Sequence, residues 1–285
     1  MIKKLNMKKQ ILFAVAALAS LSGMAQEPAK YRITYDCDAQ IVTGKPNTYR
    51  WTLDIGEKSA VFYNENNRAF NREMAELRTT GDAMALIDQL PALGQKYPSK
   101  NDLQIVMDTP ERGKYTYYKQ VLNSGLKYEE ELPRIEWQLT DSTRTICEYE
   151  CKQAIGFMYG RTWTVWYAPE LPLNYGPYVL NGLPGLIMAA KDSDSLFDFV
   201  VVGVENAPED AVISAYGEDG YQKCTRKRFM EMRSESEGIS RDQIVDRILN
   251  QTSPDAKVVV YSIDGVNAKE TSKIEVPKYN HLDKE

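Results

Sequence analysis

Short strand-like runs separated by local turns are the feature that most constrains this fold. Asn123-Ser124-Gly125 divides one pair of such runs, Gly160-Arg161 divides a second, and the polar segment from Lys191 to Asp194 divides a third. Turns this short join antiparallel strands, because parallel neighbours need a crossover of roughly a dozen residues or more. The sequence therefore predicts an antiparallel meander from Tyr31 to Glu205.

Further turns are predicted at Gly56 and at Asp141-Ser142, the latter between strands at 136–139 and 144–151. Twisted sheets that approach about ten strands tend to curl, and curling buries one face of the sheet. We therefore predict an α+β fold: a mainly antiparallel, strongly curved β-sheet that forms a half-open barrel, with a few helices packed on it.

Two regions carry apolar residues at helical spacing. The first is a helical insertion at about 66–97, split by Gly81 and ended by Pro91. The second lies toward the C-terminus, where the region 215–276 is expected to hold C-terminal helices and a hairpin. Its predicted segments are helices at 221–232 and 241–249 and a hairpin at 255–276. We expect a single domain over residues 26–285, with its core at 103–205.

The first 25 residues have the features of a secretory signal peptide. Lysines at 3, 4, 8 and 9 precede a short apolar run at 11–21, and small residues at 23 and 25 precede a cleavage site before Gln26. Both Met1 and Met7 begin an adequate signal, so the start stays open. The apolar run is shorter than the roughly 20 residues of a membrane-spanning helix. We predict an exported chain without a transmembrane anchor, in the periplasm or outside the cell.

Charge and histidine content exclude several classes of protein. Without the signal peptide the chain keeps 31 cationic side chains against 40 acidic ones, a formal charge of −9. Such a surface gives no electrostatic attraction to nucleic acid or to anionic membranes. The single histidine, His281, lies near the C-terminus, which argues against a histidine-rich zinc site or a Ser-His-Asp triad. We predict no metal, no cofactor and no catalytic set.

The cysteine count suggests a disulfide framework. Cys37, Cys147, Cys151 and Cys224 all follow the signal peptide, and an even number in an oxidising compartment favours one or two bridges. If 144–151 is one strand, Cys147 and Cys151 lie about 13 Å apart, beyond the ~7 Å that a bridge allows. Each would then pair with Cys37 or Cys224, or stay reduced. The choice among the three pairings stays open.

The region from Cys151 to Asp192 carries an ordered series of unusual motifs. It ends in the hexapeptide Gly182-Leu183-Pro184-Gly185-Leu186-Ile187. Before the hexapeptide stand Tyr149, Cys151, Ala154, Gly160-Arg161, Trp166-Tyr167, Pro169-Glu170-Leu171-Pro172 and Gly176-Pro177. In these residues the chain resembles the GLPGLI family of exported bacterial proteins, with Leu171 in place of the usual Ile. Lys278-Tyr279-Asn280 is similar to the closing segment of that family. The family has no established activity, so the resemblance implies export and a shared fold rather than a reaction.

The hexapeptide has two physical interpretations. Leu183-Pro184-Gly185-Leu186 suits a type II turn, with proline fixing φ at the second position and Gly185 accepting a positive φ at the third. A fold-defining loop that plugs the open end of a curved sheet is the favoured interpretation, because proline and glycine have such roles in turns. The alternative is a ligand-facing rim.

Five residues near this motif are the predicted ligand-binding set. Alternation places Trp163 and Tyr167 on one face of a strand and Trp166 on the other, with Tyr175 in the following loop. Arg161 in the adjacent turn could hold an anion, or be solvated or stacked on a tyrosine. In a later turn, Asp192 and Asp194 resemble a calcium ligand cluster only faintly.

These observations favour an exported periplasmic binding or accessory protein with an aromatic or apolar cleft. Its expected partner is an apolar or peptide ligand, or another envelope protein. Two alternatives stay open. A carboxylate-dependent hydrolase would bring two acidic side chains into one cleft, and a structural subunit of an envelope complex would expose an apolar patch.

Overall fold

The computed structural model describes residues 26–79, 81, 83–122, 124–237 and 279–282. The predicted signal peptide, the helix at 241–249 and the hairpin at 255–276 lie outside the described residues. Within them, twelve strands form one mostly antiparallel sheet accompanied by three α-helices, which confirms the mainly antiparallel α+β class. None of the described helices is long and apolar enough to cross a membrane.

The elements alternate between long hairpins and a few helical segments. The first half of the chain contains β1 (Tyr31–Val42), β2 (Lys45–Ile55), β3 (Ala60–Asn64), α1 (Glu65–Thr79), α2 (Ala83–Lys96), β4 (Gln104–Met107), β5 (Lys114–Val121) and β6 (Ser124–Glu131). The second half contains β7 (Gln138–Ile146), β8 (Tyr149–Met158), β9 (Arg161–Ala168), β10 (Leu186–Asp192), β11 (Phe197–Asn206), β12 (Tyr221–Lys223) and α3 (Arg226–Glu237).

Two meanders join side by side to make the sheet. The strand order is β12-β6-β5-β4-β3-β2-β1-β11-β10-β9-β8-β7, so the first meander meets the second where β1 pairs with β11. At that seam Cys37 lies opposite Phe199, and Ala39 lies opposite Phe197. Every neighbouring pair is antiparallel except β12 and β6.

Four of the predicted turns are confirmed, including the one at Gly56, whose backbone N–H donates to the Ser59 carbonyl between β2 and β3. Two-residue connections join Val121 to Ser124 and Met158 to Arg161, and a short turn joins β10 to β11. The turn predicted at Asp141-Ser142 is wrong, because β7 runs through these residues with an irregularity in its register.

The turn between β7 and β8 lies instead at Cys147 and Glu148. Their φ values are 46° and 69°. A two-residue hairpin turn of the primed type needs positive φ at both central residues, which sequence reasoning expects of Gly or Asn. Because neither residue is of that kind, the sequence carries no indication of this turn.

The predicted disulfides are not formed: all four cysteines are free. The fold explains much of this result. Cys37 lies in the central strand β1 and Cys151 lies in β8, with three strands between them. Cys224 follows β12 at one edge of the sheet, whereas Cys147 lies at the tip of the hairpin at the other edge.

Two predicted helix boundaries need correction. Helix α2 continues through Pro91 to Lys96 instead of ending there, and Leu93 in its last turns is only 4% exposed. Burial of that leucine offsets part of the cost of an internal proline. Residues 221–223 form β12, and α3 begins at Arg226 because the Thr225 side chain accepts the Arg228 backbone N–H at 3.2 Å, a helix cap.

The main apolar core spans the sheet. It takes buried side chains from every strand from β1 to β11 and from one face of α3, including Phe229. A smaller cluster on the opposite face of β3 and β4 includes Val61, Tyr63 and Val106. Because β3 is buried along its whole length, the centre of the sheet is covered on both faces.

Candidate functional site

A cavity of about 410 Å³ opens in the main core near the end of β1. It lies between β1, β2, β5, β11, α3 and the C-terminal residues 279–282. Its apolar walls are formed by Cys37, Ala39, Ile41, Trp51, Leu103, Tyr117, Val121, Phe197 and Phe199.

Strand alternation explains how these walls arise. Side chains at 33, 35, 37 and 39 of β1 are all buried, so every second residue faces the core. The series changes from Ile33 and Tyr35 to the smaller Cys37 and Ala39, which leaves space beside the large rings of the adjoining strands. Trp51 is held in place by stacking on Phe62, with 4.9 Å between ring centroids. Burial raises the pKa of the Cys37 thiol, so this wall stays uncharged.

Charged side chains surround the cavity, and most of them are paired. Lys119 Nζ lies 2.7 Å from Asp102, and His281 Nε2 lies 2.7 Å from Glu237. Lys100 differs: its ammonium donates to the Tyr97 carbonyl at 2.7 Å and lies 4.8 Å from the Phe70 ring.

The C-terminal residues 279–282 complete one wall. Strand β11 starts opposite Ala39, and the C-terminal residues continue the pairing along β1 from there. The Asn280 backbone N–H donates to the Ile41 carbonyl at 2.7 Å, and its side chain donates to the Gln40 carbonyl at 2.6 Å. The His281 carbonyl accepts a bond from Arg161 at 2.8 Å, which ties this segment to β9.

Arg161 is buried and ion-paired rather than solvated. Its side chain is 1% exposed, and its guanidinium lies 2.5 Å from Asp192 and 3.1 Å from Asp194. Asp192 also accepts the backbone N–H groups of Leu196 and Phe197 at 2.8 Å each. Arg161, which was predicted to attract an anion, therefore binds the two carboxylates that faintly suggested a calcium site.

The predicted aromatic set does not come together around the cavity. Trp163 and Tyr167 are buried in the core, whereas Trp166 lies on the other face, half-buried; the predicted alternation is confirmed. The Arg144 guanidinium lies 4.5 Å from the Trp166 ring, and both line a second cavity of about 370 Å³ on the outer face of the sheet. None of the five predicted ligand residues lines the first cavity.

Tyr175 belongs to the loop 169–185, which precedes β10. Its hydroxyl donates to Asp108 at 2.8 Å, and its backbone carbonyl accepts the Ile187 N–H at 3.0 Å. Burial, together with the neighbouring Asp108 carboxylate, raises the pKa of Tyr175. This tyrosine therefore holds the loop against the segment after β4.

The motif glycines serve packing. The type II turn predicted with a positive φ at Gly185 is wrong, since the positive φ, 91°, is at Gly182. A Cβ on Gly185 would overlap the carbonyl oxygen of Ala168, because pairing of β10 with β9 starts directly at the next residue. A Cβ on Gly176 would lie 2.8 Å from that of Ile187. Close backbone approach, rather than turn type, requires these two glycines.

The loop 169–185 fills its own surroundings. Tyr178, Val179 and Leu180 are completely buried in the main core. The Trp137 indole N–H donates to the Asn181 carbonyl at 2.8 Å, which fixes the loop from outside. The loop thus provides buried side chains to the core, and none of its residues lines either of the two cavities.

The polar residues of the cavity were missed by sequence reasoning. Lys100, Asp102, Lys119, Arg233 and Glu237 come from the segment before β4, from β5 and from α3. No local spacing links them, so the sequence patterns contain no indication of this site. In the part of the chain that the structure describes, no three His, Cys, Asp or Glu side chains form a group that could hold a metal ion.

Comparison with known proteins supports the architecture alone. No protein-family model and no curated protein matches the sequence. Two solved structures of PNGF-II, in P21 and C2 crystal forms, are similar, with 16% and 17% identity and TM-scores of 0.51 and 0.52. In both cases the similarity covers 74% of this chain and 34% of the other, so the chain matches about a third of the length of PNGF-II. At this identity the likeness shows that the sheet architecture recurs in a solved protein.

Proposed function

We propose that this chain is an exported binding protein of the GLPGLI type that holds an apolar or aromatic ligand in the cavity beside β1. The observation that carries the proposal is a cavity of about 410 Å³ that the described residues leave unfilled and that has buried aromatic walls. Ligand sites are commonly apolar concavities of roughly 300–1,000 Å³ with a few polar groups at defined positions. The cavity has this composition.

We further propose that the sheet curves into a half-open barrel. The Tyr115 and Tyr159 hydroxyls lie 3.1 Å apart, although six strands separate β5 from β9 in the sheet order. In a flat sheet, with strands about 4.8 Å apart, these positions would be more than about 30 Å from each other. The edge strands β7 and β12 are not paired with each other among the described residues, so the barrel would stay open.

The proposed location is the periplasm. The support lies in the signal-peptide features of the first 25 residues, the acidic character of the remaining chain and the resemblance to an exported family. An envelope partner protein stays part of this proposal.

A cavity-filling variant tests the binding function. Ala39→Leu adds bulk to the cavity wall without adding charge, whereas Val200→Leu changes an outward-facing residue of β11 that is 38% exposed. The uncharged fluorophore N-phenyl-1-naphthylamine should bind the parent protein and Val200→Leu alike, and Ala39→Leu at least about tenfold more weakly. Absence of probe binding, together with absence of a co-purified ligand in native mass spectrometry, would contradict the proposal.

The hydrolase interpretation has one observation in its favour: Asp102 and Glu237 line the same cavity. Asp102 already has a cationic partner in Lys119, and Glu237 already contacts the His281 imidazole, which supports binding over catalysis. Incubation with envelope glycans and peptides, followed by mass spectrometry, distinguishes the two. Product formation that is lost in both Asp102→Asn and Glu237→Gln would support the hydrolase.

A further inference from the structure

The rim of the cavity is more positive than the rest of the protein. Lys100, Lys119 and Arg233 line it, against the carboxylates of Asp102 and Glu237. The whole chain, by contrast, has a formal charge of −5. Lys119 compensates the charge of Asp102, and Glu237 lies 2.7 Å from the His281 imidazole, so three cations against two carboxylates leave the lining with one positive charge in excess.

Within the described part of the chain, Lys100 has neutral contacts and no counter-charge. Its ammonium contacts the Tyr97 carbonyl and the Phe70 ring, and among the described residues no carboxylate lies within 4 Å of its Nζ. Partial burial lowers the pKa of Lys100, because the charged form loses hydration that these neutral contacts only partly replace. A half-buried ammonium of this kind gains more from a ligand anion than a fully solvated one would.

The inner walls of the cavity, by contrast, are apolar and uncharged. Trp51, Phe199 and Cys37 are 2%, 0% and 1% exposed, and the thiol is neutral because its burial raises its pKa. A ligand that enters the cavity therefore meets a cation at the rim and apolar surface inside.

We infer that the ligand is an amphipathic monoanion, whose acidic head group binds Lys100 and whose apolar body lies against Trp51 and Phe199. This inference rests on the proposed binding function and narrows it to a ligand class. Carboxylates, sulfonates and phosphate monoesters with an aliphatic or aromatic body share the required chemistry.

Decanoate and decan-1-ol form a matched pair for the test, because they share an apolar chain and differ in charge. Calorimetry at neutral pH and low salt should show that decanoate binds the parent protein about tenfold or more tightly than decan-1-ol. Lys100→Gln should reduce that ratio to near one, and Lys100→Arg should retain it. Lys152→Gln, which changes an exposed lysine of β8 outside the cavity, should leave the ratio unchanged.

Tryptophan quenching locates the ligand. A terminally brominated decanoate should quench Trp51 fluorescence, and Trp51→Phe should lose most of that quenching whereas Trp166→Phe should not. Equal binding of acid and alcohol, unaffected by Lys100→Gln, would overturn the inference and leave the proposed binding function standing. Failure of both compounds and of the uncharged fluorophore to bind would overturn both.

Discussion

Both ends of the β1–β2 pair bury side chains on the same face of the sheet, but they are covered by different segments of the chain. At the motif end, where β1 begins and β2 ends, the loop 169–185 packs over the strands, and the Tyr175 hydroxyl lies 3.4 Å from the Lys58 carbonyl. At the cavity end, where β1 finishes, the side chains shrink to Cys37 and Ala39, and a cavity of about 410 Å³ remains.

The difference shows how one alternating pattern can produce both a packed plug and a binding site. The motif end is filled by buried loop side chains and by backbone that approaches closely at glycines. The cavity end is enclosed by segments distant in sequence, which include the C-terminal residues 279–282 and α3, and these supply charged as well as apolar side chains. Substitutions at the motif end and at the cavity end should therefore change the stability of the protein for different physical reasons.

The largest effect is expected at Arg161, which ties the cavity end together. Arg161→Met leaves Asp192, which is 0% exposed, as a buried charge without its ion-pair partner Arg161. We expect a loss of about 3–5 kcal/mol in the free energy of unfolding, measured by urea denaturation. Arg50→Met, which breaks the exposed pair with Asp36, should cost no more than about 1 kcal/mol.

A double variant separates charge from packing. Arg161→Met with Asp192→Asn keeps an acceptor for the Leu196 N–H but removes the unpaired charge. It should be more stable than Arg161→Met alone. If the double variant were equally unstable, lost packing rather than the buried charge would explain the effect.

The next effect is expected at the motif end. Gly185→Ala places a Cβ on the Ala168 carbonyl, so backbone must move, and we expect a loss of about 2–3 kcal/mol in thermal or urea unfolding. Gly94→Ala in α2 is the matched control, because a Cβ there meets no atom within 4 Å. It should be neutral or stabilise by up to about 1 kcal/mol. Similar behaviour of the two variants would contradict the view that backbone contact packs the motif end.

Tyr175→Phe tests the polar attachment of the motif loop. The variant removes the 2.8 Å bond to Asp108 and leaves the ring in place. We expect a loss of about 1–2 kcal/mol, because the acceptor is a carboxylate. Tyr31→Phe, at a tyrosine that is 40% exposed, should change the unfolding free energy by less than about 0.5 kcal/mol. A neutral Tyr175→Phe would show that burial alone holds the loop.

Substitution of Lys100 is expected to have the smallest effect on stability. Unlike the substitutions above, it should stabilise the protein. The folded state lowers the pKa of Lys100 below its ordinary value of 10.5, so the charged lysine opposes folding at neutral pH. This unfavourable contribution is fully present below the lowered pKa and disappears as pH rises through the ordinary value. Lys100→Met should therefore stabilise the free protein slightly, by less than about 1 kcal/mol at pH 7.

The test compares the free energy of unfolding of the parent protein with that of Lys100→Met, at pH 7 and at pH 10–11. The difference between the two should shrink at the higher pH, while the variant loses its preference for decanoate. A difference that grows with pH would show that the ammonium stabilises the folded state.

Local sequence patterns predicted much of the sheet. The hairpins at 121–124, 158–161 and 192–197 follow from turn residues between alternating runs, and the opposite orientation of Trp163 and Trp166 follows from a period of two. The turn at Cys147-Glu148 and the helix through Pro91 could not be predicted, because tertiary contacts there override local preference.

The sequence by itself determined an antiparallel chain with short turns, the motif glycines and the opposite orientations of Trp163 and Trp166, since these depend on backbone sterics and on strand periodicity. Only the tertiary structure decided which end of β1 is filled, that Arg161 contacts Asp192, and that Lys100 lines a cavity with no counter-charge among the described residues. Those features depend on contacts between segments far apart in the sequence; Arg161 and His281, for example, are separated by 120 residues. Local propensity cannot specify such distances, because each contact forms only when the whole sheet has been assembled.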